Sequence, residues 1–109
     1  MSEREKFFQI DELEQRRALA GKSYLEFLRV AAMSAGVYTL AAGAGDLQKP
    51  HKEDEMYYVV RGRARMRVGA EDREVSQGSV VFVAAEVPHR FYDIAEELVV
   101  LVFFAPAET

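Results

Sequence analysis

From Lys22 to the end of this 109-residue chain, short runs rich in Val, Tyr, Phe and Leu recur, each bounded by Gly, Pro or acidic residues. Runs of that length and composition read as strands. They fall near Tyr24–Val30, Gly36–Leu40, Met56–Arg61, Ala64–Val68, Val80–Val83, Arg90–Asp93 and Leu98–Phe104, with a shorter one around Arg73–Val75. Gly62 and Gly69 stand where tight reversals are needed, and Gly78 opens the next strand. This spacing predicts an all-β sandwich or barrel rather than alternating helix–strand units.

Two of the runs, Tyr57–Val60 and Leu98–Phe104, are apolar at every position, so both faces of those strands must avoid water. One face fills the barrel. The other needs a cover, and a second copy of the chain, giving a homodimer, is the simplest one. The N-terminal arm covering it within one monomer is the alternative. That arm precedes the only predicted helix, in which Asp11 is the expected N-cap, Glu14 its capping-box partner and Gly21 the C-terminal stop. Leu13, Arg17 and Ala20 give this helix only a thin apolar stripe, and Phe7–Ile10 before it reads as a short strand or an anchoring arm. The chain therefore divides into an arm and short helix, residues 1–21, and a β-barrel domain, residues 22–109.

Composition removes several functions. With no Cys, thiolate metal sites, iron–sulfur ligation and a cysteine nucleophile are excluded. A net charge of −4 argues against nucleic acid as a general partner, since such binding draws on cationic contacts to phosphate. No apolar run approaches the roughly 18 residues of a membrane-spanning helix. The opening Met1-Ser2-Glu3-Arg4-Glu5-Lys6 lacks leader character, so a cytoplasmic protein is expected.

The chemistry concentrates around the only two His residues, His51 and His89, both at expected strand ends. If extended conformation begins at Pro50, His51, Glu53, Glu55 and Tyr57 project from one face. His89, Phe91 and Asp93 share a face of a second strand. Two imidazoles and a carboxylate converging in a barrel match a site for Fe(II), Mn(II), Ni(II), Co(II) or Zn(II), with positions left open for substrate. Solvated residues at a barrel rim are the bland alternative. Arg61, Arg63, Arg65 and Arg67 recur with a period of two and read as a solvated face paired with Glu71, Asp72 or Glu74.

These residues also carry a family resemblance. The segment Gly43–Gly62 resembles the first cupin motif: Gly43, His51, Glu55 and Gly62 match, and Lys49 stands where its first His belongs. Gly78–Asp93 resembles the second: Gly78 and His89 match, while Ala84, Glu86 and Asp93 replace its Pro, Gly and Asn. The short span between the motifs is similar to that of small single-domain cupins of the conserved-barrel group. The resemblance implies a cupin-type jelly-roll β-barrel, commonly dimeric, with a divalent transition metal held by His51, Glu55 and His89. An ammonium at Lys49 cannot ligate. It turns out to solvent, or the site keeps three protein ligands, or the metal is lost; Glu53 is the reserve for the missing ligand.

A metal-binding cupin that binds or transforms a small organic molecule in its cavity is the leading reading, with oxygenase, isomerase and lyase chemistry all open. Tyr57 and Glu53 are the first candidates for proton transfer. Tyr57 and Tyr38 either face the cavity or pack the core, Phe91 lines the wall, and Asp93 orients an imidazole or ends a strand in a salt bridge. A non-catalytic module that captures or senses a small ligand, without an essential metal, is the alternative function.

Overall fold

A computed structural model describes residues 6–46 and 48–109. Met1–Glu5, all but the last residue of the stretch read above for a leader, lie outside them. One helix, α1 (Ile10–Leu19), precedes six strands: β1 (Tyr24–Val30), β2 (Met33–Leu40), β3 (Asp54–Val68), β4 (Glu71–Ser76), β5 (Val80–Val83) and β6 (His89–Ala105). The pairing is antiparallel in the order β1-β2-β6-β3-β4, and β5 also pairs with β3. No described helix is long and apolar enough to cross a membrane.

Strands β3 and β6 organise the molecule, and both are longer than the sequence suggests. Gly62 is not a reversal. It sits inside β3 at φ +98°, where the β3–β6 register slips around Arg61 and Arg63 and the long strand bends. Across the slip, β6 carries Asp93 at φ +47°, exposed and turned away from the His89–Phe91 face on which the alternation had put it. One continuous strand thus reads in sequence as two, because a glycine bulge and a hairpin turn need the same backbone freedom. Gly69 does close a hairpin, between β3 and β4, at φ +57°.

The interior holds Tyr57, Val59, Ala64, Met66, Val75, Val83, Phe91, Leu98, Val100, Val102 and Phe104. A smaller cluster of Leu13, Val37 and Val99, with Leu25, Phe27, Val60 and Leu101, lies on the outer face beneath α1. Phe8 extends this cover edge-on to Phe27, at 4.8 Å between ring centroids, as an arm and not a strand. The helix begins two residues earlier than expected, at Ile10, after Gln9, which gives no side-chain cap; Asp11 therefore sits in the first turn and is not the N-cap. Glu14 is likewise no capping-box partner. Its carboxylate accepts from Thr39 Oγ1 at 3.0 Å and from Arg17 at 2.8 Å, tying the helix to β2. Gly21 ends the helix as expected, with its N–H and that of Lys22 donating to the carbonyls of Ala18 and Arg17.

The arm and helix leave part of the outer face open. Met56 (43% exposed) and Tyr58 of β3 stand opposite Phe82 (57%) and Val80 of β5, and opposite Phe103 and Leu101 of β6. On the other half of β3 the arginines find surface partners: Arg65 and Arg67 pair with Asp72, Arg63 with Glu96 and Arg61 with Glu14.

A candidate metal centre

Three segments meet at one end of the barrel. Burial alternates from Glu53 to Val59, so β3 carries Glu55 and Tyr57 inward, while His51 lies just ahead of the strand. His89 is the first residue of β6. The loop before His89 ties these segments together: the Glu86 N–H donates to the His51 carbonyl at 2.7 Å, and the Ala85 N–H to Asp54 Oδ1 at 2.9 Å. Glu86 stands at φ +69°, the left-handed position for which the second motif has its Gly.

One ligand atom from each of His51, Glu55 and His89 lies within 4.8 Å of the other two. Nε2 of His89 is 3.1 Å from Glu55 Oε1, and Nε2 of His51 is 3.9 Å from the same oxygen. Each ring is set by its other nitrogen. Nδ1 of His89 is 2.9 Å from the Val87 carbonyl, so it carries the proton and leaves a lone pair on Nε2. Nδ1 of His51 is 3.1 Å from Glu108 Oε2, which favours the same tautomer there.

The donor set fits a cation. Glu55 is 2% exposed and His89 6%, yet both carboxylate oxygens of Glu55 and Nε2 of His89 lack hydrogen-bond partners. A buried carboxylate in that state is costly, and a divalent ion shared with two imidazoles would satisfy these atoms. With no ion bound, burial opposes protonation of His89, but Glu55 and the Val87 carbonyl outweigh it and raise its pKa, so Nε2 binds a proton that ligation would displace.

Of the other sequence candidates, Tyr57 borders this triad, its ring centroid 6.0 Å from that of His89, whereas Glu53 and Lys49 face elsewhere. Glu53 is buried, and its Oε2 accepts from the Thr109 N–H at 3.2 Å and hydroxyl at 2.9 Å. Lys49 is exposed. The Tyr57 hydroxyl donates to Gln48 Oε1 at 3.1 Å, and its ring stands edge-on to Phe91 at 5.0 Å. Burial, then the neighbouring Glu55 charge, pushes the Tyr57 phenol well up, so it remains a donor.

Beside His51 opens a cavity of about 210 Å³, lined by Tyr24, Tyr38, Gln48, His51, Val102, Phe104 and Glu108. The Tyr24 hydroxyl is buried without a partner. Its ring occupies the space above Gly36, where a Cβ would come within 2.2 Å of it. Burial, followed by the Glu108 charge, pushes the Tyr24 phenol up as well. The Glu108 carboxyl is also raised, by burial against the opposing pull of His51. Sequence reasoning passed over Tyr24, Asp46, Gln48 and Glu108. Gln48 carried a signal, standing next to the anomalous Lys49; Glu108, far along the chain, carried none.

The family model for the cupin domain matches residues 36–104. An uncharacterised protein of Streptomyces coelicolor is 53% identical over 104 residues, covering 95% of this chain and 99% of its own. The crystal structure of TT1209 from Thermus thermophilus superposes with a TM-score of 0.74 at 24% identity, over 94% of this chain and 99% of that one. A crystal structure of the DMSP lyases RdDddP and RnDddQII aligns at 26% identity and a TM-score of 0.63, over 67% of this chain and 38% of that one. The alternating strands, the bend at Gly62 and the matched residues thus have one account: this jelly-roll chain belongs to the cupin family.

Proposed function

We propose that the protein is a metal-dependent cupin that binds and transforms a small organic molecule in the cavity beside His51. The observation that carries this reading is the convergence of the Nε2 atoms of His51 and His89 on a buried, unpartnered carboxylate next to that cavity. His51, Glu55 and His89 would hold a divalent transition ion, which when bound supplies Lewis acidity toward a substrate oxygen or activation of dioxygen.

The rest falls to the chain's own side chains. At about 210 Å³ the cavity lies below the roughly 300 Å³ floor of drug-sized ligand sites, so its occupant is small. Val102 and Phe104 give it an apolar wall, against which the body of such a molecule packs. The unpartnered Tyr24 hydroxyl donates to an oxygen of the occupant. Neither Tyr57 nor Glu53 lines this space, whereas Glu108 does, and its raised pKa suits it to take or give a proton there. The likeness to DMSP lyase structures agrees with chemistry on a small molecule.

Untagged protein analysed for metals should carry near-stoichiometric transition metal, lost in His51→Ala. Metal-loaded protein then turns over a member of a small-molecule library, and Tyr24→Phe raises KM about three- to tenfold with little change in kcat, as the loss of one hydrogen bond requires. Absence of metal from every preparation, with no uptake of Fe(II), Mn(II) or Zn(II), defeats the proposal. Metal and ligand bound without turnover would make the protein a sensing module.

We further propose that the open face of Met56, Tyr58, Val80 and Phe82 seats a second copy of the chain. Apolar side chains that remain exposed together on one sheet face support it. Light scattering should report a dimer, and Phe82→Asp a monomer; a monomeric parent protein refutes the assignment.

A further inference from the structure

We propose that Gln48 Oε1 is a fourth protein ligand of the centre and that Asp46 fixes the amide in the orientation this requires, an inference that rests on the metal reading above. Gln48 Oε1 lies 3.2 Å from His51 Nε2. With the His51 proton on Nδ1, facing Glu108, that contact sets two lone pairs against each other. A shared cation turns the repulsion into ligation. Around an ion with bonds of about 2.1 Å, neighbouring ligands stand about 3.0 Å apart and opposite ones about 4.2 Å. The separations Gln48–His51 of 3.2 Å, Glu55–His89 of 3.1 Å and His51–Glu55 of 3.9 Å fall in that range.

The amide cannot turn over. Gln48 Nε2 donates to Asp46 Oδ2 at 3.0 Å, and exchanging oxygen for nitrogen would set an oxygen against that carboxylate. Asp46 is itself buried and held, by the Tyr38 hydroxyl on Oδ1 and the Phe91 N–H on Oδ2, both at 2.9 Å. Tyr57 donates to Gln48 Oε1 from the other side. The position opposite the first motif His is therefore exposed, and the residue before it turns inward to take its place. A neutral amide oxygen leaves Glu55 as the one anionic ligand, which preserves more of a divalent ion's charge for a substrate than two carboxylates would.

The whole untagged chain is titrated with Mn(II) by calorimetry and with Co(II) by visible absorption. Gln48→Leu is expected to weaken Mn(II) binding at least tenfold, and as much as about a hundredfold, with altered Co(II) bands. Gln48→Glu should restore affinity, and Asp46→Asn should change the Co(II) bands with a smaller loss of affinity. Parent-like Mn(II) affinity and Co(II) bands in Gln48→Leu overturn the proposal and leave the three-ligand centre standing. If Gln48→Leu does not fold, Gln48→Glu decides: altered Co(II) bands support ligation and unchanged bands overturn it. No binding of either ion by the parent protein removes the metal reading itself, and this inference with it.

Discussion

Mn(II) at a hundredfold excess over its Kd should stabilise the parent protein by about 2.7 kcal/mol, a rise in melting temperature of about 10–15 °C for a domain of this size. His89→Ala should lose that response altogether. It also removes the imidazole beside Glu55 and frees the Val87 carbonyl, so the apoprotein should lose a further 1–3 kcal/mol or so. Glu55→Ala loses the metal response too, but its baseline moves less, because the variant no longer buries a carboxylate without hydrogen bonds. Differential scanning fluorimetry with and without Mn(II) reads both quantities. A His89→Ala protein that still responds like the parent would mean that the imidazole does not ligate.

The second large effect lies away from the centre. Gly62→Ala should cost about 3–5 kcal/mol, combining a left-handed backbone with overpacking against atoms that cannot move. A Cβ there would meet the Glu97 carbonyl oxygen at 2.2 Å and the Leu98 Cα at 2.7 Å, at φ +98°. Gly69→Ala is the control: its φ is also positive, but its nearest neighbour is Val87 Cγ1 at 3.6 Å, so it should lose only about 1 kcal/mol. Urea denaturation compares the two. Equal costs would show that the close approach at Gly62 is relieved by a small shift of β6.

The same glycine marks a boundary of what could be read from the amino acids. Alternation along Glu53–Val59 is a local property, so the inward set of β3 was visible before any coordinates. Whether Gly62 turns the chain or bends it depends on β6, more than thirty residues away, and no local pattern reports that. Glu53 shows the same limit. Parity alone gave it the face of Glu55, but its partner proved to be Thr109. His51 and His89 were legible because two imidazoles in a Cys-free chain leave few other donors, and Glu55 because it stands at the carboxylate position of the cupin motif. Asp46 and Glu108 were not, because carboxylates are common and only tertiary contacts with Phe91 and His51 single these out.

The backbone hydrogen bond from Glu86 to His51 bears on how the proposed centre would take up an ion. Glu86 is three positions before His89, so a main-chain link holds one ring-bearing segment against the other without help from an ion. The proposed centre is therefore preorganised by the backbone. Loading should release little buried surface to or from water, giving a small heat-capacity change, and chelation should strip the protein without unfolding it. That behaviour is opposite to that of small domains in which the ion itself drives the folding.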